Sequence, residues 1–208
     1  HQGTPVPSGT SFDIEINNFH QRWTPHPNNV DLCAMPFDIL EDEASLLGRS
    51  IFGIPFGDDV IYSDEALRQL FAIEDVLMIG YPNGLWDEVN NLPLLRRGIT
   101  SSHPAVDFNG KRETVIDAAI FPGSSGSPVV LLKSSAYRDM HGLSGHGGLL
   151  LGVLYAGPIF KANGSVKIIS IPTQNTIVTE TNMMMHLGHV IKASELQVLW
   201  EHLKTIAP

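Results

Sequence analysis

Asp117-Ala118-Ala119-Ile120-Phe121-Pro122-Gly123-Ser124-Ser125-Gly126-Ser127-Pro128 is the most informative stretch of this 208-residue chain. Glycines stand on both sides of Ser125, at positions 123 and 126. A backbone that turns sharply and aims two N–H groups at one point needs residues free to take positive φ, which glycine does at little steric cost. The stretch therefore reads as a turn that presents the Ser125 hydroxyl as an activated nucleophile. The N–H groups of Gly123 and Ser125 would then form an oxyanion hole for a tetrahedral acyl-transfer intermediate. A Gly/Ser cluster standing alone is more often an ordinary hairpin loop, so the surrounding sequence has to choose between the two.

On both sides of that turn lie short apolar runs separated by turn residues, the pattern of an all-β barrel or sandwich. Strands are predicted over residues 76–80, 97–101, 113–117, 128–132, 149–156 and 166–172. Further upstream, residues 12–16 alternate with period two, as a half-buried strand does, and residues 31–36 and 50–55 are additional candidate strands. Ser63 is placed to cap a short helix over residues 63–71, with Asp64 and Glu65 favourable in its first turn. Near the other end, Ser194-Glu195-Leu196-Gln197 has the capping-box pattern, and Leu196, Leu199, Trp200 and Leu203 share one helical face. The glycine-rich residues 140–148 read as a flexible loop.

Four other stretches occur in a fixed order around Ser125. These are Val30-Asp31-Leu32-Cys33-Ala34-Met35, the run from Val76 through Ile79-Gly80-Tyr81-Pro82-Asn83-Gly84-Leu85, Arg97-Gly98-Ile99-Thr100-Ser101-Ser102, and Leu151-Gly152-Val153-Leu154-Tyr155-Ala156-Gly157. Together they resemble the trypsin-like serine proteases of the chymotrypsin fold, most closely the HtrA/Deg branch, over residues 10–175. The order makes the resemblance more specific than any single motif. It implies an all-β, chymotrypsin-like double antiparallel β-barrel plus a C-terminal helix. Residues 1–58 would be the remaining part of an incomplete first barrel, 59–75 an inter-barrel connection with the short helix, and 76–208 the second barrel and C-terminal helix. No room remains after Pro208 for the PDZ module that many HtrA-like proteins carry.

The same resemblance makes Ser125 the nucleophile and Asp31 the acidic member of a triad. It sets Ala119 at the base of the substrate pocket, with Tyr155, Ala156 and Gly157 along one wall. An uncharged base offers no partner to a Lys or Arg side chain, whose unpaired burial is costly, so a small or aliphatic residue before the scissile bond is expected. Asp117 is not a pocket acid. Phe121 stands where such relatives often have Asn, and Ser127 where Gly is common. The family order is His, Asp, Ser, yet only His1, His20 and His26 precede Asp31, none in the context the family uses. His20 and His26 read as surface residues, and His1 is followed by turn chemistry. The chain is accordingly expected to be a fragment whose catalytic histidine lies upstream. Without a base it would retain only about 10³–10⁴-fold catalysis over water.

Composition narrows the partners. A formal charge of −9 and a pI near 5.3 argue against nucleic acid or an anionic membrane; a polypeptide substrate is what the resemblance implies. No apolar run reaches the length of about 18 residues that a membrane helix needs. The lone Cys33 cannot form an internal disulfide and reads as a buried structural thiol. His141 and His146, and the pair His186 and His189, lack the further ligands of a metal site, so neither metal nor cofactor is expected. Compartment and oligomeric state are left open. Two other classes stand beside a serine endopeptidase. One is a non-catalytic binding or regulatory protein on the protease fold. The other is an α/β-hydrolase, whose Gly-x-Ser-x-Gly elbow fails at Ser127.

Overall fold

The computed structural model describes residues 11–53, 55–61, 63–132, 148–166 and 177–206. Its first elements are a two-stranded antiparallel hairpin of β1 (Thr24–Pro25) and β2 (Cys33–Ala34), then α1 (Asp38–Leu46) and α2 (Asp64–Arg68). β3 (Asp75–Gly80), β4 (Leu94–Thr100), β5 (Glu113–Asp117), β6 (Pro128–Leu132) and β7 (Gly148–Ala156) follow. After a separate antiparallel pair, β8 (Ile159–Val166) and β9 (Ile177–Met184), come β10 (Leu187–Lys192) and α3 (Ser194–Ile206).

Six of these strands close into an antiparallel barrel in the order β10-β5-β4-β3-β6-β7, with β7 pairing back to β10. The segment β6-β3-β4-β5 is a Greek key, in which the fourth strand returns to lie beside the first. Closure leaves the barrel itself no open edge. Period-two alternation supplies the interior: β3 alternates half-buried and buried positions, sending Val76 and Met78 inward. They pack with Ile116, Ile120, Val129, Leu131, Leu151, Leu154 and Val190, and Leu67 of α2 closes on the same core.

The all-β barrel and C-terminal helix follow the sequence expectation, and β5 and β6 have the expected bounds. The sixth barrel strand does not. Val166 ends β8, and residues 167–172 lie outside the described residues, as do 140–147; the barrel is closed instead by Leu187–Lys192. Gly188 lies within this strand. In the barrel it leaves the room into which Ile120 and Leu154 pack, which a Cβ at that position would fill.

The region expected to hold the first barrel looks different. Residues 12–16 alternate in exposure but pair with no strand, and the described residues of 50–55 form none. Between them, the run Asp38–Leu46 is helical, with acidic residues Asp38 and Glu41 in its first turn. Only Ala44 of this helix is buried. The chymotrypsin-like double barrel is thus matched among the described residues by one closed barrel and a two-residue-per-strand hairpin.

Ser63 caps α2 as expected, its hydroxyl accepting from the Ala66 N–H at 3.2 Å. Ser194 does not behave as a simple cap, since its hydroxyl accepts from Arg112 at 2.7 Å. Arg112 also grips Asp64 through two bonds of 3.1 Å and approaches Glu195 at 3.4 Å, tying α2, β5 and α3 together. The bonds from Arg112 hold the Asp64 carboxyl below its ordinary range. Leu199 is buried beneath α3, whereas Trp200 is exposed and lies under the Lys204 ammonium. Cys33, expected to be buried, is exposed because β2 is an isolated hairpin strand without a sheet over it.

Candidate active site around Ser125

The serine turn forms as its glycines suggest. Gly123 and Gly126 have φ of 84° and 87°, the left-handed region that L side chains avoid. A Cβ on Gly123 would also lie 3.0 Å from the Asn83 nitrogen, because the Asn83 N–H donates to the Pro122 carbonyl at 2.7 Å. On the other flank, Gly126 N–H donates to the Leu154 carbonyl at 2.7 Å and Leu154 N–H to the Ser127 carbonyl at 2.9 Å. The loop is therefore clamped between the turn Pro82–Gly84 and β7. Ser127, which departs from the family pattern, is buried against Gly80, where a Cβ would overlap its hydroxyl.

Ser125 itself is exposed. Its hydroxyl donates to the Tyr155 carbonyl at 2.9 Å. Among the described residues, neither the Gly123 nor the Ser125 N–H donates to a backbone carbonyl, which leaves both available to an oxyanion. No imidazole bonds to the Ser125 hydroxyl among the described residues, and a backbone carbonyl cannot accept its proton for nucleophilic attack.

Asp31 sits in the β1–β2 connection, which also meets Tyr155. A cavity of about 320 Å³ opens there, lined by Asp31, Lys111, Arg112, Glu113, Tyr155 and Ile191. Tyr155 donates to Glu113 Oε1 at 2.8 Å, and its phenol is pushed up to about 12, first by burial and then by Glu113, with the Asp31 charge adding. Ser125 and Asp31 thus converge on one residue, the first at its backbone and the second beside its side chain. The other pocket residues are half-buried Ala156 and Gly157 beyond Tyr155, and Ala119, which is exposed.

His26 is the clearest correction to the sequence reading. It is 4 % exposed rather than a surface residue. Its Nδ1 accepts from the Asn28 N–H at 3.2 Å, so the proton resides on Nε2, which faces the Glu195 carbonyl oxygen at 3.2 Å and Oε2 at 3.3 Å. The ring is used up in pinning the Asp31 hairpin to the start of α3. His189 was considered only as a metal ligand. Its Nδ1 lies 3.4 Å from Glu113 Oε2 without hydrogen-bond geometry, and its ring packs edge-on to Tyr155 and Phe108. His186 instead meets the Phe121 ring, so the two histidines face different partners. His1, His141 and His146 lie outside the described residues.

Sequence reasoning missed Glu113, His189 and Arg96. Arg96 donates to the Ala119 carbonyl, and its guanidinium carbon stands 4.9 Å over the Phe121 ring. Strand alternation could have assigned each of these side chains to a face of the barrel; nothing local indicates what lies opposite. No group of three metal-ligating side chains occurs among the described residues, and no described helix is long and apolar enough to cross a membrane. Comparison with protein-family models, with curated proteins and with solved structures finds no match to this chain.

Proposed function

We propose that this chain carries the nucleophile and acid of a trypsin-like serine endopeptidase, closest to the HtrA/Deg branch, acting on polypeptides. The observation that carries this is the Ser125 turn: an exposed hydroxyl between two left-handed glycines, with the Gly123 and Ser125 N–H groups unclaimed by backbone carbonyls. In the reaction, the Ser125 oxygen attacks the scissile carbonyl and its proton passes to a histidine base. The two N–H groups hold the oxyanion, the amine leaves with the proton, and water repeats the sequence on the acyl-enzyme. Asp31 orients that base across Tyr155. The resemblance expects that base before Asp31 in the chain; among the described residues no imidazole bonds to the Ser125 hydroxyl.

The bond from Ser125 to the Tyr155 carbonyl favours a second reading, a non-catalytic binding or regulatory protein on the same scaffold, because it commits the hydroxyl to a backbone acceptor. A fluorophosphonate probe separates the two. It should label an N-terminally extended form of the chain and leave its Ser125→Ala variant unlabelled. A folded extended form that takes no label would overturn the endopeptidase and favour the binding protein.

A further inference from the structure

Arg96 occupies an unusual place for a cation. It pairs across the sheet with Met78, a core residue, and antiparallel partners project to the same face, so its side chain leaves β4 on the barrel's inner side. Its neighbour Arg97 points the other way and is paired with Asp75 at 2.9 Å. Arg96 has no carboxylate partner among the described residues. Instead it donates to the Ala119 carbonyl and lies over Phe121, whose ring also touches His186. One guanidinium has five donors, and a single carbonyl leaves most of them free. Its contact with the Ala119 carbonyl is exposed, so the remaining donors are open to an approaching anion.

We propose that Arg96 is a specificity-determining residue that selects substrates with an acidic side chain, Asp or Glu, immediately before the scissile bond. This rests on the endopeptidase reading, in which Ala119 forms the base of the substrate pocket. Arg96 grips that base from below, and Phe121 belongs to the same loop, two bonds of which run through Ser124 to the serine turn. The uncharged Ala119 pointed to small or aliphatic residues; the neighbouring guanidinium supplies the missing charge through space. A planar fork of donors suits a carboxylate in a way that an ammonium does not.

The test uses acetylated tripeptides ending in Glu, Gln or Leu, titrated by NMR into the chain and into its Arg96→Gln and Arg96→Lys variants, with Ser125 labelling by a fluorophosphonate measured alongside in the extended form. The Glu peptide should bind on the order of ten-fold or more tighter than the Gln peptide, as a hydrogen bond to a charged group warrants. Arg96→Gln should erase that preference, while Arg96→Lys keeps part of it. Equal binding of Glu and Gln peptides, or a Glu preference that survives Arg96→Gln in a folded variant, would overturn the assignment even where Ser125 labels. A Glu preference that depends on Arg96 but accompanies no labelling would sink the endopeptidase reading and leave Arg96 as an acid-recognising site.

Discussion

Tyr155 joins the two halves of the candidate site, its carbonyl holding Ser125 and its phenol buried against Glu113 beside Asp31. Its titration should report that position. The folded phenol ionises near pH 12 and the unfolded one near its usual 10. Stability from the protonated phenol is therefore complete below about pH 10 and is lost as pH rises through 12. Tyrosinate absorbance should show one late-titrating tyrosine that disappears in Tyr155→Phe, and that variant should lose less stability between these pH values. A wild-type titration without a late component would show that the phenol is not held buried against Glu113 in solution. Ser125 was legible in the sequence because its turn depends on glycines within two residues. The pairing of Tyr155 with Glu113 was not, since 42 residues separate them.

The β1–β2 hairpin is too short to hold itself in place, as isolated hairpins are marginal in water. His26 secures it. His26→Ala would remove the ring that satisfies the Asn28 N–H and faces Glu195, at a cost of about 1–3 kcal/mol for the buried groups left unpaired. Amide exchange should accelerate across residues 24–34 while β3 and β6 stay protected; unchanged hairpin exchange would argue that something other than His26 holds Asp31. Flanking prolines made His26 look like a surface residue. Burial here depends on α3, whose start lies 169 residues away. α3 itself was readable from its apolar spacing, whereas α1 lies between two candidate strands of the expected first barrel and buries only Ala44.

The closed barrel is what gives the serine turn its rigidity. Leu154 packs in the core while its backbone bonds Gly126 and Ser127, so core and turn are coupled through one strand. Leu154→Ala should destabilise the fold by about 2–5 kcal/mol through the cavity it leaves, lowering the urea midpoint and slowing Ser125 labelling in the extended form together. A large loss of stability with full labelling would show that the turn does not rely on the barrel. The short apolar strands from β3 to β7, the capped α2, the apolar stripe of α3 and the glycine-flanked Ser125 turn are all written locally, because each depends on residues within a few positions of one another. The closing strand β10, the burial of His26, the meeting of Asp31 and Ser125 at Tyr155, and the guanidinium of Arg96 beneath Ala119 came from the folded chain alone. Which strand fills a barrel's last place, and which charge faces which, is set by the space and partners that distant segments bring, and local spacing carries no record of those partners.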